Sequence, residues 1–106
     1  MRSLVVLGWM LFSTAACAPS EEEIQEEFDA YVAKRNSCTV TDDCVLASTD
    51  CPLGCGTAVN RTYQADVERK ARELVADYES EGQQCYYDCQ VLVAVCTEGR
   101  CVAEPQ

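Results

Sequence analysis

The chain has 106 residues, 18 acidic against 8 basic side chains, a formal net charge of −10 at pH 7, no histidine and nine cysteines. A surface of that sign repels a phosphate backbone and so argues against nucleic acid as a partner, while the lack of histidine removes the commonest general base and metal ligand. The length suits one domain with a modest core, of the kind that exported proteins commonly staple with disulfides.

Arg2 precedes the apolar run Leu4–Phe12, which gives way to the small residues Ser13, Thr14, Ala15 and Ala16 before Cys17. This is the three-part layout of a signal peptide. As a helix, the run would be roughly 13 Å long, less than half of the ~30 Å hydrocarbon core, so cleavage is expected in place of a permanent span. Cleavage after Ala18 would fit the small-x-small rule but would have to cut before Pro19, which restricts the residue preceding it. Thr14-Ala15-Ala16-Cys17 resembles a bacterial lipobox, departing from it at Thr14, where that motif carries an aliphatic residue. The resemblance implies a lipoprotein signal peptide over 1–16 and a Cys17 that carries fatty-acyl chains such as palmitate. It also implies a membrane-attached, non-spanning protein of the bacterial cell envelope, facing the periplasm or the exterior. Residues 17–23 would then be the lipidated cysteine and a short acidic tether, and 24–106 a single disulfide-stapled domain.

Ser20 followed by Glu23 has the form of a capping box, and Ile24, Phe28, Tyr31 and Val32 recur at helical spacing, which predicts a helix over 21–35. Its acidic start and basic end, Lys34 and Arg35, agree with the helix dipole. Cys44–Ser48 reads as a short strand and Pro52–Gly56 as a turn. Asn60 can cap a second helix over 61–80, with an apolar stripe of Val59, Tyr63, Val67, Ala71, Leu74 and Tyr78 and a stop at Gly82. Asp66–Lys70 and Glu68–Arg72 are its expected i,i+4 pairs. Gln90–Cys96 reads as a strand buried on both faces or nearly so, and Glu98-Gly99 as a tight turn into Arg100–Ala103. The expected fold class is α+β, two helices packed on a short antiparallel sheet.

From Cys38 onward, the numbers of residues between successive cysteines are 5, 6, 3, 29, 3, 6 and 4, nearly a palindrome about the second helix. Two antiparallel arms stapled rung by rung would show this spacing, which favours the nested set Cys55–Cys85, Cys51–Cys89, Cys44–Cys96 and Cys38–Cys101. Eight cysteines allow 105 connectivities, and local closure by Cys96–Cys101 and Cys38–Cys44 is the main rival.

The candidate chemistries are few. A thiol–disulfide oxidoreductase would want Cys-x-x-Cys, and no two cysteines have that spacing. Cys51, Cys55, Cys85 and Cys89 have spacing compatible with a four-thiolate zinc site, but an oxidising destination favours disulfides. Asp42, Asp43 and Asp50 lack the spacing of a calcium loop and read as turn residues. No catalytic residue, cofactor or metal is expected.

Cys38-Thr-Val-Thr-Asp-Asp-Cys44 and Cys96-Thr-Glu-Gly-Arg-Cys101, with Ala58-Val59-Asn60 before the helix, are similar to motifs of small cysteine-rich bacterial lipoproteins, notably the myxobacterial group. That resemblance spans about residues 37 to 103 and implies no assigned activity. Cys55-Gly56-Thr57 with Thr62-Tyr63 resembles a Kazal inhibitor phrase, and Asp42-Asp43-Cys44 the whey-acidic-protein modules. The Kazal cysteine after the tyrosine and the adjacent cysteine pair of the whey module are both absent. The leading expectation is a non-enzymatic, lipid-anchored protein with a structural or binding role at the envelope. The alternative is a tethered or secreted protease inhibitor whose rigid loop is Asp50 to Thr57, a reading that tight inhibition lost on altering Leu53 would favour.

Overall fold

The computed structural model describes residues 19–79 and 89–106. Helix α1 covers Glu21–Ala33, where the Ser20 hydroxyl accepts the Glu23 amide at 3.1 Å and three glutamates occupy the positive end of the helix dipole. Ile24, Phe28 and Val32, four residues apart, form its buried face. The helix ends before Lys34 because the next residues bond to other elements. Arg35 turns to Asp66, and the Asn36 carbonyl accepts the Cys101 amide.

A single 3-10 turn, Thr41–Asp43, leads into β1 (Cys44–Ala47). The strand pairs antiparallel with β2 (Thr57–Asn60), from Cys44 opposite Asn60 to Ala47 opposite Thr57. Asn60 ends β2 and at the same time caps the next turn, its side-chain oxygen accepting the Thr62 amide at 3.0 Å. The expected second helix accordingly begins with one 3-10 turn, Arg61–Tyr63, before α2 runs as α-helix over Gln64–Glu79. The expected stop at Gly82 and the end at Ser80 lie outside the described residues. Val67, Ala71, Leu74 and Tyr78 of the expected stripe are buried, whereas Tyr63 stays on the exposed 3-10 turn.

Two more strands, β3 (Leu92–Thr97) and β4 (Arg100–Pro105), form a hairpin with Cys96 directly opposite Cys101. Glu98 and Gly99 both have positive φ, 51° and 80°, as a two-residue turn that matches the strand twist requires. The fold class is α+β, with two two-stranded sheets instead of one among the described residues.

Alternation along β1 and β2 arranges these parts in three layers. Val45, Ala47 and Val59 pack with Ile24, Phe28, Val67 and Leu74 of the helices, while Cys44, Leu46 and Ala58 pack with Ala94, Cys96, Cys101 and Ala103 of the hairpin. The β1–β2 ribbon is thus covered on both faces. The expectation that β3 would be the strand buried on both faces is corrected: its residues from Leu92 to Cys96 are half-buried, because β3 belongs to an outer layer with only one inward face. Residues 36–38 join the layers. Ser37 bridges Arg100 on the free edge of β4, the Cys38 amide donates to the Gly99 carbonyl, and Asn60 donates through its backbone to Arg35 and through its side chain to Ser37.

Phe28 is 2% exposed in the helical core, so Phe28→Ala should lower unfolding free energy by roughly 3–5 kcal/mol in a denaturant titration. Val91→Ala, at a site 68% exposed, should change it by less than about 0.5 kcal/mol.

Candidate functional site

Three arrangements of polar or reactive side chains stand out among the described residues. The first is a group of four cysteines. Cys38 is bonded to Cys96 and Cys44 to Cys101, with Cα separations of 5.9 and 5.4 Å, inside the range a disulfide requires. The expected pairs Cys38–Cys101 and Cys44–Cys96 are therefore corrected. The two arms do meet, but as stacked sheets and not as neighbouring strands of one ladder, so antiparallel register does not impose a nested order. Cys96 and Cys101 point to the same face of their hairpin, and the segment from Cys38 to Cys44 lies across both. Cys55 is bonded to Cys89, which replaces the expected Cys51–Cys89. Cys51 is also in a disulfide, and the expected pair Cys55–Cys85 is excluded by the Cys55–Cys89 bond; Cys85 itself, like Cys17, lies outside the described residues. Because Cys51, Cys55 and Cys89 are oxidised, they do not supply the thiolates of a zinc site.

The second arrangement ties α1 to α2. Asp66 accepts from the Tyr31 hydroxyl at 2.7 Å, from Arg35 Nε at 2.9 Å and from Arg69 Nη2 at 2.7 Å. The Arg35 guanidinium also lies over the Tyr31 ring, 3.5 Å from its centroid, and donates to the Tyr31 carbonyl. The Tyr31 hydroxyl, followed by the two arginines, holds the pKa of the Asp66 carboxyl down from 3.8 to about 2, while the same hydrogen bond raises the Tyr31 phenol above its ordinary value. Asp66 therefore stays ionised near neutrality, and the cluster joins the two helices as a clasp. The expected pair Asp66–Lys70 is replaced by Asp66–Arg69, and Lys70 reaches across to Glu27 at 3.7 Å. Glu68, expected to pair with Arg72, accepts the Ser48 amide at 2.8 Å.

The third is the loop Asp50 to Thr57. The Leu53 amide donates to the Asp50 carbonyl and the Thr49 hydroxyl to the Gly54 carbonyl, while Gly54 and Gly56 take φ of 100° and 132°. This brings Leu53 inward, 6% exposed and part of the helical core. An inhibitory loop must present its recognised side chain to the protease, so Leu53 does not fill that role. Asp43 is a turn residue, as expected. Its carboxylate accepts the Thr39 and Val40 amides, which hold its pKa below the ordinary value.

A shallow hollow of about 300 Å³ lies beside Tyr31, Lys34, Arg35 and Lys70, but Arg35 and Lys70 already face Asp66 and Glu27. No family model, curated protein or solved structure matches the chain. The long-range clasp has no sequence signal beyond charge complementarity. Arg35 and Asp66 are 31 residues apart, and only the packing of the helices brings them together.

Asp66 has a lower pKa folded than unfolded, so the stability its charge contributes is present above the unfolded value and lost as pH falls through the folded one. Between about pH 4 and pH 2, the stability advantage of wild type over Asp66→Asn should therefore shrink, as followed by urea titration at stepped pH. A difference that stays constant across that window would show that the clasp carries no charge-dependent stability.

Proposed function

We propose that this is a non-enzymatic, lipid-anchored extracytoplasmic protein with a structural or binding role at the bacterial cell envelope. The observation that carries the reading is the set of disulfides joining residues 58, 57 and 34 positions apart, a form of stapling suited to an oxidising compartment. The export-like segment ending in Thr14-Ala15-Ala16-Cys17 supports the same compartment. Among the described acidic residues, Asp43 holds a turn and Asp66 a clasp.

An anchor at Cys17 would put the domain close to the lipid. Only Ala18, Pro19 and Ser20 separate that cysteine from the first residue of α1, about 10 Å of extended chain. Glu21, Glu22 and Glu23 would then face an anionic surface that repels them, so the acyl chains and not the domain would supply the attraction. A binding role would be exerted on a protein partner, since the negative charge disfavours nucleic acid.

Intact-mass analysis of protein extracted from membranes should give a chain beginning at Cys17 and carrying acyl groups. An unmodified chain beginning at Pro19, recovered free from the periplasm or medium, would overturn the anchored reading.

A further inference from the structure

The two disulfides between the middle sheet and the hairpin are near enough to exchange partners. The Sγ atoms of Cys38, Cys44 and Cys101 lie within 4.8 Å of one another, although Cys38 is bonded to Cys96 and belongs to the other bridge. The fourth sulfur is placed by register. Cys96 is directly opposite Cys101, and neither amide bonds to the other residue, since Cys96 donates to the Thr41 hydroxyl and Cys101 to the Asn36 carbonyl. This is the non-hydrogen-bonded kind of pair, in which opposite Cα atoms are about 4.5 Å apart and side chains approach most closely. Cys38 and Cys96 are half-buried, whereas Cys44 and Cys101 are buried, so a thiol from solvent meets the Cys38–Cys96 bridge first.

We propose that these four cysteines form a thiol-triggered disulfide isomerisation site, which converts Cys38–Cys96 and Cys44–Cys101 into Cys38–Cys44 and Cys96–Cys101. An external monothiol, as its thiolate, attacks Cys96 Sγ; a mixed disulfide forms there, the Cys38–Cys96 bond breaks, and Cys38 leaves as thiolate. Cys38 Sγ then attacks Cys44 Sγ, forming Cys38–Cys44, breaking Cys44–Cys101 and releasing Cys101 as thiolate. Cys101 attacks Cys96 Sγ across the hairpin, forming Cys96–Cys101 and expelling the original thiolate. Two disulfides are present at the start and two at the end, and the thiol is returned, so no net oxidant or reductant is consumed. For this reason the site does not need the Cys-x-x-Cys of an oxidoreductase.

The exchange changes what the bridges hold. The native pair spans 58 and 57 residues and fastens β3–β4 to β1 and to the segment at Cys38. The isomerised pair spans six and five residues, each within its own segment. Among the described residues, the hairpin is then held on the middle sheet by hydrogen bonds and by the side chains of Leu46, Ala58, Ala94 and Ala103. A small thiol in the surroundings would thereby loosen the outer layer without reducing the protein. This inference is independent of whether Cys17 is acylated.

The test uses full-length oxidised protein, without denaturant, and a limiting amount of 2-mercaptoethanol, an uncharged thiol that the net charge of −10 does not repel. Acid-quenched, alkylated samples are cleaved after Arg35, Leu92 and Arg100 and before Asp42, Asp43 and Asp50, which isolates each of the four cysteines. The expected result is that the Cys38–Cys44 and Cys96–Cys101 peptides rise together in equal amounts. Cys55–Cys89 should stay intact, and free thiol should not exceed that added. Two outcomes would overturn the proposal: opening of Cys38–Cys96 to thiols or mixed disulfides with Cys44–Cys101 untouched, or scrambling that draws in Cys51, Cys55 or Cys89.

Discussion

The Cys38–Cys96 and Cys44–Cys101 bridges are the constraint on which the layered arrangement depends, because the interface they cross is made mostly of small side chains. Besides the partly buried Leu46, it holds Ala58, Ala94 and Ala103, which bury little apolar area between the β1–β2 ribbon and the hairpin. A two-stranded hairpin is marginal alone in water. In the chain-entropy model, the first of the two bridges to close, over 58 or 57 residues, contributes about 4 kcal/mol, comparable to the net stability of a small domain, and the second, which then closes a much shorter loop, contributes less. On the opposite face of the ribbon, the order of effects is reversed. There Ile24, Phe28, Val59, Val67 and Leu74 form an ordinary hydrophobic core, and the Tyr31–Arg35–Asp66 clasp sets how the two helices meet. The middle sheet thus has a covalent partner on one side and a packed one on the other.

Local chemistry makes much of this fold legible in the sequence. Ser20 and Asn60 cap where their side chains predict, Glu98-Gly99 turns the hairpin, and the stripe from Val67 to Tyr78 faces inward. Strand β2 is not legible, because Thr57–Asn60 is four residues long and directly adjoins the segment that becomes α2, so it offers too little alternation to read. The burial of β3 misleads for a related reason. A continuous apolar run does not tell which neighbour covers each face, and the ribbon that receives cover on both sides is spelled with small and mixed residues. The cysteine palindrome correctly joins the early arm to the late one. It cannot give the order within each pair, since that depends on the stacking of two sheets and not on sequence distance.

The same distinction governs the candidate sites. The Asp50–Thr57 loop has the glycines and the bridged cysteine of a rigid presented loop, yet the inward turn at Leu53 is decided by a core that needs an aliphatic side chain there. Asp66 and Arg35 are ordinary surface residues in the sequence and meet in an ion pair only when α1 lies on α2. Asp43, Asp66 and Glu68 hold a turn, a helix pair and a strand end, so these carboxylates serve the rigidity of the fold.

Crossed, long-range bridges fasten the hairpin to the middle sheet, and disulfide mapping of freshly purified, untreated protein tests this most directly. Non-reducing proteolysis followed by mass spectrometry should recover peptides linking Cys38 to Cys96, Cys44 to Cys101 and Cys55 to Cys89. Recovery of the nested links Cys38–Cys101 and Cys44–Cys96, or of alkylatable thiols at these positions, would contradict it.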